Sequence, residues 1–95
     1  MRTTKVVRDF AQWLESLPQE EPLPTHPGIG ELVNCPVNLW RGQLTAWRSS
    51  PAHQALADLF DARIAWSVPA KAEGVKPPCT PANCLRVMRE AGYQV

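Results

Sequence analysis

Three cysteines and two histidines are the side chains in this chain that are best suited to bind a metal ion. Cys79 and Cys84 have the spacing C-x4-C, and Cys35 together with His26 or His53 would complete the four ligands of a structural zinc site. That spacing lies outside the commonest zinc-finger range, and the sequence has no second close pair. Cys84 also falls on the apolar stripe of a predicted helix, where a small buried side chain packs well. We therefore expect reduced thiols that serve packing, with no metal and no cofactor.

Cysteine catalysis is the second chemistry that these residue types allow. Cys35 directly precedes a predicted helix, whose dipole would favour a thiolate, and His26 or His53 would have to act as its base. No cysteine-hydrolase signature surrounds Cys35, so a half-buried residue at the start of a helix is the simpler interpretation.

Phosphate and acid–base chemistry have equally weak support. The glycine cluster at 28–30 lacks the lysine and the hydroxyl of a P-loop and does not follow a predicted strand, so it reads as a turn. Asp58 and Asp61 lie three residues apart on the polar side of a predicted helix, where carboxylates face solvent. We predict that the chain has no catalytic residue and that it is not an enzyme.

Arginine and tryptophan are concentrated in the segment WRGQLTAWR, residues 40–48. Both residue types are enriched in the hot spots of protein interfaces, although a tryptophan in a small domain is also a good core residue. Arg41 and Arg48 are two helical turns apart on one side, and Arg86 and Arg89 are neighbours on the last predicted helix. We predict the following partner-binding residues: Trp40, Arg41, Trp47, Arg48, Arg86 and Arg89.

Charge is unevenly distributed along the chain. Residues 9–33 contain five acidic residues and no lysine or arginine, whereas residues 34–51 contain two arginines and no acidic residue. Such an asymmetry favours electrostatic steering toward a charged partner, and the arginines favour an acidic surface on that partner.

The elements that position these residues are predicted to be helical. Apolar residues of the first helix fall on one face, which includes Val6 and Phe10 and is widened by Val7. The later helices begin at Pro36, Pro51 and Pro81, because proline is favoured at the first helical position. We predict a single all-α domain over residues 1–95 with four short helices near 3–17, 36–48, 51–66 and 81–91, a proline-rich linker over 18–27 and a loop over 67–79.

Two further local patterns are informative. Gly92 stands where a helix commonly ends in the left-handed conformation, which would return Tyr93 to the helix near Met88. The segment 28–34 contains two glycines and could hold at most one helical turn. The predicted core comprises Phe10, Trp13, Leu14, Leu44, Leu56, Leu59, Phe60, Ile64, Leu85 and Met88.

Length, composition and charge limit the functional classes. The 95 residues allow one domain, and a formal net charge of +1 excludes a generally basic nucleic-acid binder. No stretch of about 18 apolar residues could cross a membrane, and no signal-peptide core follows the N-terminus, so we expect a cytoplasmic protein.

We therefore predict a non-enzymatic module that binds another protein or protein complex stoichiometrically. Small helical chains of this character are common among phage and mobile-element products that inhibit or modulate a larger bacterial complex. The alternative is a small helix-turn-helix-like nucleic-acid-binding regulator, in which Asn83, Arg86 and Arg89 of the last helix would read the bases.

Overall fold

A computed structural model of the chain describes residues 3–26, 29–36, 42–66, 74 and 76–95, and the fold is mostly helical. The prediction of a mostly helical fold is confirmed. The fold is not purely α-helical, because a small two-stranded sheet accompanies the helices. In chain order the elements are α1 (Lys5–Ser16), β1 (Thr25–His26), β2 (Glu31–Leu32), α2 (Leu44–Arg48), a 3-10 turn (Pro51–His53), α3 (Gln54–Ala65) and α4 (Pro81–Glu90).

Side-chain caps and prolines set the ends of α1 and α4. The hydroxyl of Thr4 accepts a hydrogen bond from the Val7 amide at 3.3 Å, and that of Thr80 accepts one from the Asn83 amide at 3.2 Å. Leu17 is extended because Pro18 disfavours helical geometry at the preceding residue, so α1 ends at Ser16. Both helices lie where the sequence predicts them.

The buried face of α1 differs from the prediction in one position. Val7 is fully buried together with Phe10 and Leu14, whereas the side chain of Val6 is 41% exposed. The apolar positions therefore run i, i+3 and i+7 from Val7, and Val6 lies one residue outside that face.

The two middle helices agree with the prediction over residues 42–48 and 51–66, all of which are helical. The helix expected over 36–48 appears as α2, Leu44–Arg48, and residues 37–41 lie outside the described part of the chain. The helix expected over 51–66 begins with the 3-10 turn at Pro51 and continues as α3. Most of the loop predicted over 67–79 also lies outside the described residues.

Two short strands that were not predicted, β1 and β2, form an antiparallel hairpin, and the turn expected in the glycine cluster is present at residues 29–30. Thr25 pairs with Leu32 and His26 with Glu31, and Gly30 between them has a φ of 67°. Two residues per strand are too few for an alternating pattern to be visible in the sequence. Leu23, at the entry to the hairpin, is fully buried and fixes the proline-rich segment on the helices.

The core lies where α1 packs on α4, α4 on α3 and α3 on α2. At its centre the rings of Trp47 and Phe60 are stacked at 5.8 Å and 3°, and Phe10 lies 6.1 Å from Phe60. Most of the predicted core is buried, and Trp13 and Leu59 pack against it while partly exposed. Ile64 is the exception, since it is partly exposed and lines a surface groove.

The end of α4 follows the prediction closely. Gly92 has a φ of 101°, its amide donates to the Arg89 carbonyl at 3.0 Å, and the Tyr93 amide donates to the Met88 carbonyl at 3.1 Å. These two bonds are those of a Schellman ending. They bring Tyr93 into the core, where its hydroxyl accepts a hydrogen bond from the Trp47 indole at 2.8 Å. No helix among the described residues is long and apolar enough to span a membrane.

Candidate functional site

Two of the six predicted partner-binding residues, Trp40 and Arg41, lie outside the residues that the structure describes. A third, Trp47, lies in the core with 1% of its side chain exposed, so it presents no surface to a partner. The helical face that carries Trp47 also carries buried Leu44, and the indole stacks on Phe60 from α3. Interior packing, rather than an interface, therefore accounts for Trp47.

Arg48 lies at the surface and forms an ion pair with Asp61 of α3. The side chains are 52% and 55% exposed, so water screens the attraction between them. This pair crosses from α2 to α3 and stands at the rim of a surface groove.

Arg86 and Arg89 lie on the exposed side of α4, where each is already engaged. Arg86 donates to the carboxylate of Glu90 at 2.8 Å and to the side-chain oxygen of Asn83. Arg89 donates from Nε to the Val95 carbonyl at 2.7 Å. No hydrogen bond or ion pair within the described ranges joins these residues to Arg48, so they do not form one continuous site with it.

The groove at the Arg48–Asp61 pair has a volume of about 530 Å³ and lies between the hairpin tip, α2 and α3. Its apolar lining comes from all three elements, and its charged side chains stand among them. The lining residues are Ile29, Gly30, Glu31, Leu44, Arg48, Asp61, Ile64 and Ala65.

The hairpin forms one side of the groove because of its tight turn. The amides of Ile29 and Gly30 both donate to the His26 carbonyl, at 3.3 and 2.9 Å. Gly30 lies beside Ile64 of α3, and its φ of 67° is the left-handed conformation that glycine adopts at little cost. The turn leaves the Ile29 side chain 63% exposed at the edge of the groove.

The charges of the groove do not cancel among the described residues. Glu31 and Asp61 supply two carboxylates and Arg48 supplies one guanidinium, which is paired with Asp61. The Glu31 carboxylate has no ion-pair partner within the described ranges. The described lining is therefore part apolar and part polar, with an excess negative charge at its hairpin side.

No protein-family model matches this chain, and no curated protein or solved structure matches it either. Function has to be inferred from the groove's own shape and charges.

Arg63 is the polar residue that the sequence reasoning missed. It is buried in α3, and its Nε and Nη2 both donate to the Leu23 carbonyl, at 3.0 and 2.6 Å. Its guanidinium lies 4.9 Å from the centre of the Trp66 ring. Burial lowers the pKa of Arg63 and the nearby Cys79 acts in the opposite direction. The available clue was position, since Arg63 follows Leu56 by seven residues and shares its buried face.

The cysteines and histidines are distributed over separate surroundings. Cys79 and Cys84 are fully buried, whereas Cys35 is partly exposed against the core. His53 shares a hydrogen bond with the Ser50 hydroxyl at 2.9 Å, and His26 is exposed in β1. No group of three or more potential metal ligands was found among the described residues.

Proposed function

We propose that this protein is a non-enzymatic module that binds another protein stoichiometrically through the groove between the hairpin tip, α2 and α3. The observation that carries the proposal is the exposed side chain of Ile29 at the edge of a groove that combines apolar side chains with the Arg48–Asp61 pair. Such a mixed lining suits a partner segment that inserts one apolar side chain and makes polar contacts around it.

The charges of the groove favour a particular partner. Arg48 is neutralised by Asp61, and Glu31 is left with an unbalanced carboxylate among the described residues. A partner segment that inserts an apolar side chain and places a lysine or arginine beside Glu31 would be complementary. This proposal differs from the acidic partner surface that the sequence favoured, because that expectation counted arginines without their intramolecular carboxylate partners.

A nucleic-acid partner has less support from the geometry. Asn83 of α4 donates to the Pro78 carbonyl at 2.7 Å and its side-chain oxygen accepts from Arg86. Glu90 stands on the same side and would repel phosphate. Base recognition by α4 would require these bonds to be exchanged for bonds to bases.

The test is to capture partners from a nuclease-treated bacterial lysate with the wild-type chain and with matched variants. Ile29→Asp places a charge at the groove, and Val6→Asp places the same charge on an exposed valine of α1 outside it. We expect one protein to bind wild type and Val6→Asp equally, to form a complex of fixed stoichiometry in size-exclusion chromatography with light scattering, and to be lost with Ile29→Asp.

The role of the Glu31 charge is tested by measuring the affinity of charge-reversal variants for the purified partner at several salt concentrations. Glu31→Lys should weaken binding and flatten its dependence on salt, because the attraction that salt screens is gone, whereas Glu20→Lys, at an exposed position outside the groove, should leave affinity unchanged. Equal binding by Ile29→Asp and wild type would exclude the groove. A partner recovered only from a parallel lysate without nuclease would favour the helix-turn-helix-like alternative instead.

A further inference from the structure

Cys79 and Cys84 form a buried pair of thiols at the start of α4. Thr80 is the N-cap of this helix and Pro81 is its first residue, so Cys79 stands at N′ and Cys84 at N4. Side chains at these two positions pack against each other across a helix start, as in a hydrophobic staple. Both side chains are fully buried in the same core cluster.

The surroundings of the two sulfurs differ. The hydrogen bond with Cys79, together with burial, raises the pKa of the Cys84 thiol, so Cys84 keeps its proton. Cys79 lies close enough to Arg63 to interact with its positive charge. Because Cys84 holds its proton more tightly than a free thiol does, we assign the first attack in thiol–disulfide exchange to Cys79.

We propose that Cys79 and Cys84 are a reversible oxidation site, at which a low-molecular-weight disulfide converts the two thiols into an intramolecular disulfide. The Cys79 thiolate attacks one sulfur of the small disulfide, which releases one small thiol and leaves a mixed disulfide on Cys79. The Cys84 sulfur, on losing its proton, then attacks the Cys79 sulfur and releases the second small thiol. The protein loses two hydrogen atoms, and the oxidant is reduced to two thiols.

Access to the pair depends on a local opening around Cys79. The Leu23 amide donates to the Cys79 carbonyl at 3.2 Å, and the Leu23 carbonyl accepts both bonds from Arg63. The segment that leads into β1 therefore covers the pair, and the reagent reaches Cys79 when these contacts open. The new bond would fix the residues before α4 to its first turn. This inference is independent of the proposed binding function.

The experiment treats the folded Cys35→Ser variant, which keeps the pair as its two thiols, with oxidised glutathione. We expect an intact monomer that is lighter by two hydrogen atoms, a peptide map that joins Cys79 to Cys84, and full recovery of two thiols with dithiothreitol. Wild type should give the same internal bond, and Cys35 alone should carry any glutathione that persists. Alkylation of untreated wild type with iodoacetamide should modify Cys35 first and the buried pair afterwards.

Two controls keep the result specific. Cys84→Ala in the Cys35→Ser background should stop at a persistent glutathione adduct on Cys79, and its circular dichroism should match that of the parent. The proposal is overturned if the folded Cys35→Ser protein keeps both thiols under conditions that oxidise it in urea, or if its disulfides join two chains instead.

Discussion

The aromatic centre, formed by Phe10, Trp47, Phe60 and Tyr93, differs from the groove beside the hairpin in how completely its side chains are buried. In the centre, Trp47 stacks on Phe60 and its indole nitrogen bonds to the Tyr93 hydroxyl, so ring faces and polar atoms are both engaged. In the groove, Ile29 is mostly exposed, and the Arg48–Asp61 pair stands in water. The side chains of the aromatic centre are therefore buried within the protein, whereas those at the edge of the groove remain accessible to a partner.

This contrast teaches that stability and binding are carried by different residues. Buried apolar area is the main favourable term in folding, and it is concentrated around Phe60. An exposed apolar side chain or ion pair contributes little to stability but is available to a partner. Substitutions in the centre should therefore unfold the chain, and substitutions in the groove should spare the fold while affecting binding.

The largest expected effect is at Phe60. Phe60→Ala removes a fully buried ring that touches both Phe10 and Trp47, and it should lower the free energy of unfolding by about 3–5 kcal/mol. Urea unfolding followed by circular dichroism measures this, since the slope should stay constant while the midpoint falls. A loss below about 1 kcal/mol would contradict a central position for Phe60.

Substitution of Arg63 should cause the second-largest loss in the free energy of unfolding. Arg63→Met keeps the length of the side chain but leaves the Leu23 carbonyl without its two donors and removes the charge beside Trp66. We expect a loss of about 2–3 kcal/mol, typical of a buried hydrogen bond to a charged group. Hydrogen exchange should also accelerate at the Leu23 amide, which bonds to Cys79. Unchanged exchange at Leu23 would show that Arg63 does not anchor the proline-rich segment.

The elements around these two residues differ in how far the sequence predicts them. Helix starts at Pro51 and Pro81 and the helix end at Gly92 follow from local chemistry, so they lie where expected. The buried surroundings of Phe60 follow likewise from a repeating apolar face. Arg63 was missed because a charged residue on that face requires a specific backbone partner, Leu23, that lies forty residues away in the chain.

The groove was less predictable than the core for a similar reason. The partner-binding prediction included Arg48 but not Asp61, because an ion pair between two helices leaves no trace in local spacing. The hairpin that supplies Ile29 and Glu31 has strands of two residues, below the length at which alternation is visible. Trp47 was assigned to the surface because composition alone does not distinguish a core tryptophan from one at an interface.

A substitution at Tyr93 measures how much the hydrogen bond between Trp47 and Tyr93 stabilises the aromatic centre. Tyr93→Phe keeps the ring but removes the hydroxyl that accepts the Trp47 indole hydrogen bond. The unpaired indole N–H should cost about 1–2 kcal/mol of stability, less than the loss of Arg63. Thermal melting and the near-ultraviolet tryptophan signal measure it. A neutral result would mean that the indole N–H finds another partner in the variant.

The ion pair at the groove should contribute less still. Arg48→Ala should change the free energy of unfolding by at most about 1 kcal/mol, because both charges are half exposed. A double-mutant cycle with Asp61→Ala isolates the coupling between the two side chains, which should shrink in high salt. A coupling that persists at high salt would show that the pair is more buried than its exposure indicates.

Substitution of Ile29 should have the smallest effect on stability. It should therefore distinguish most clearly between a residue that supports folding and one that supports binding. Its side chain is 63% exposed, so Ile29→Ala should change the free energy of unfolding by no more than about 0.5 kcal/mol. If the exposed side chain is an anchor for a partner, the same variant should weaken binding at least about tenfold, as truncation of an interface hot spot does. Val6→Ala is the matched control, because it removes an exposed aliphatic side chain from α1 and should alter neither quantity. A marked loss of stability in Ile29→Ala would mean that the hairpin tip belongs to the folded core, because only packing contacts could supply that energy.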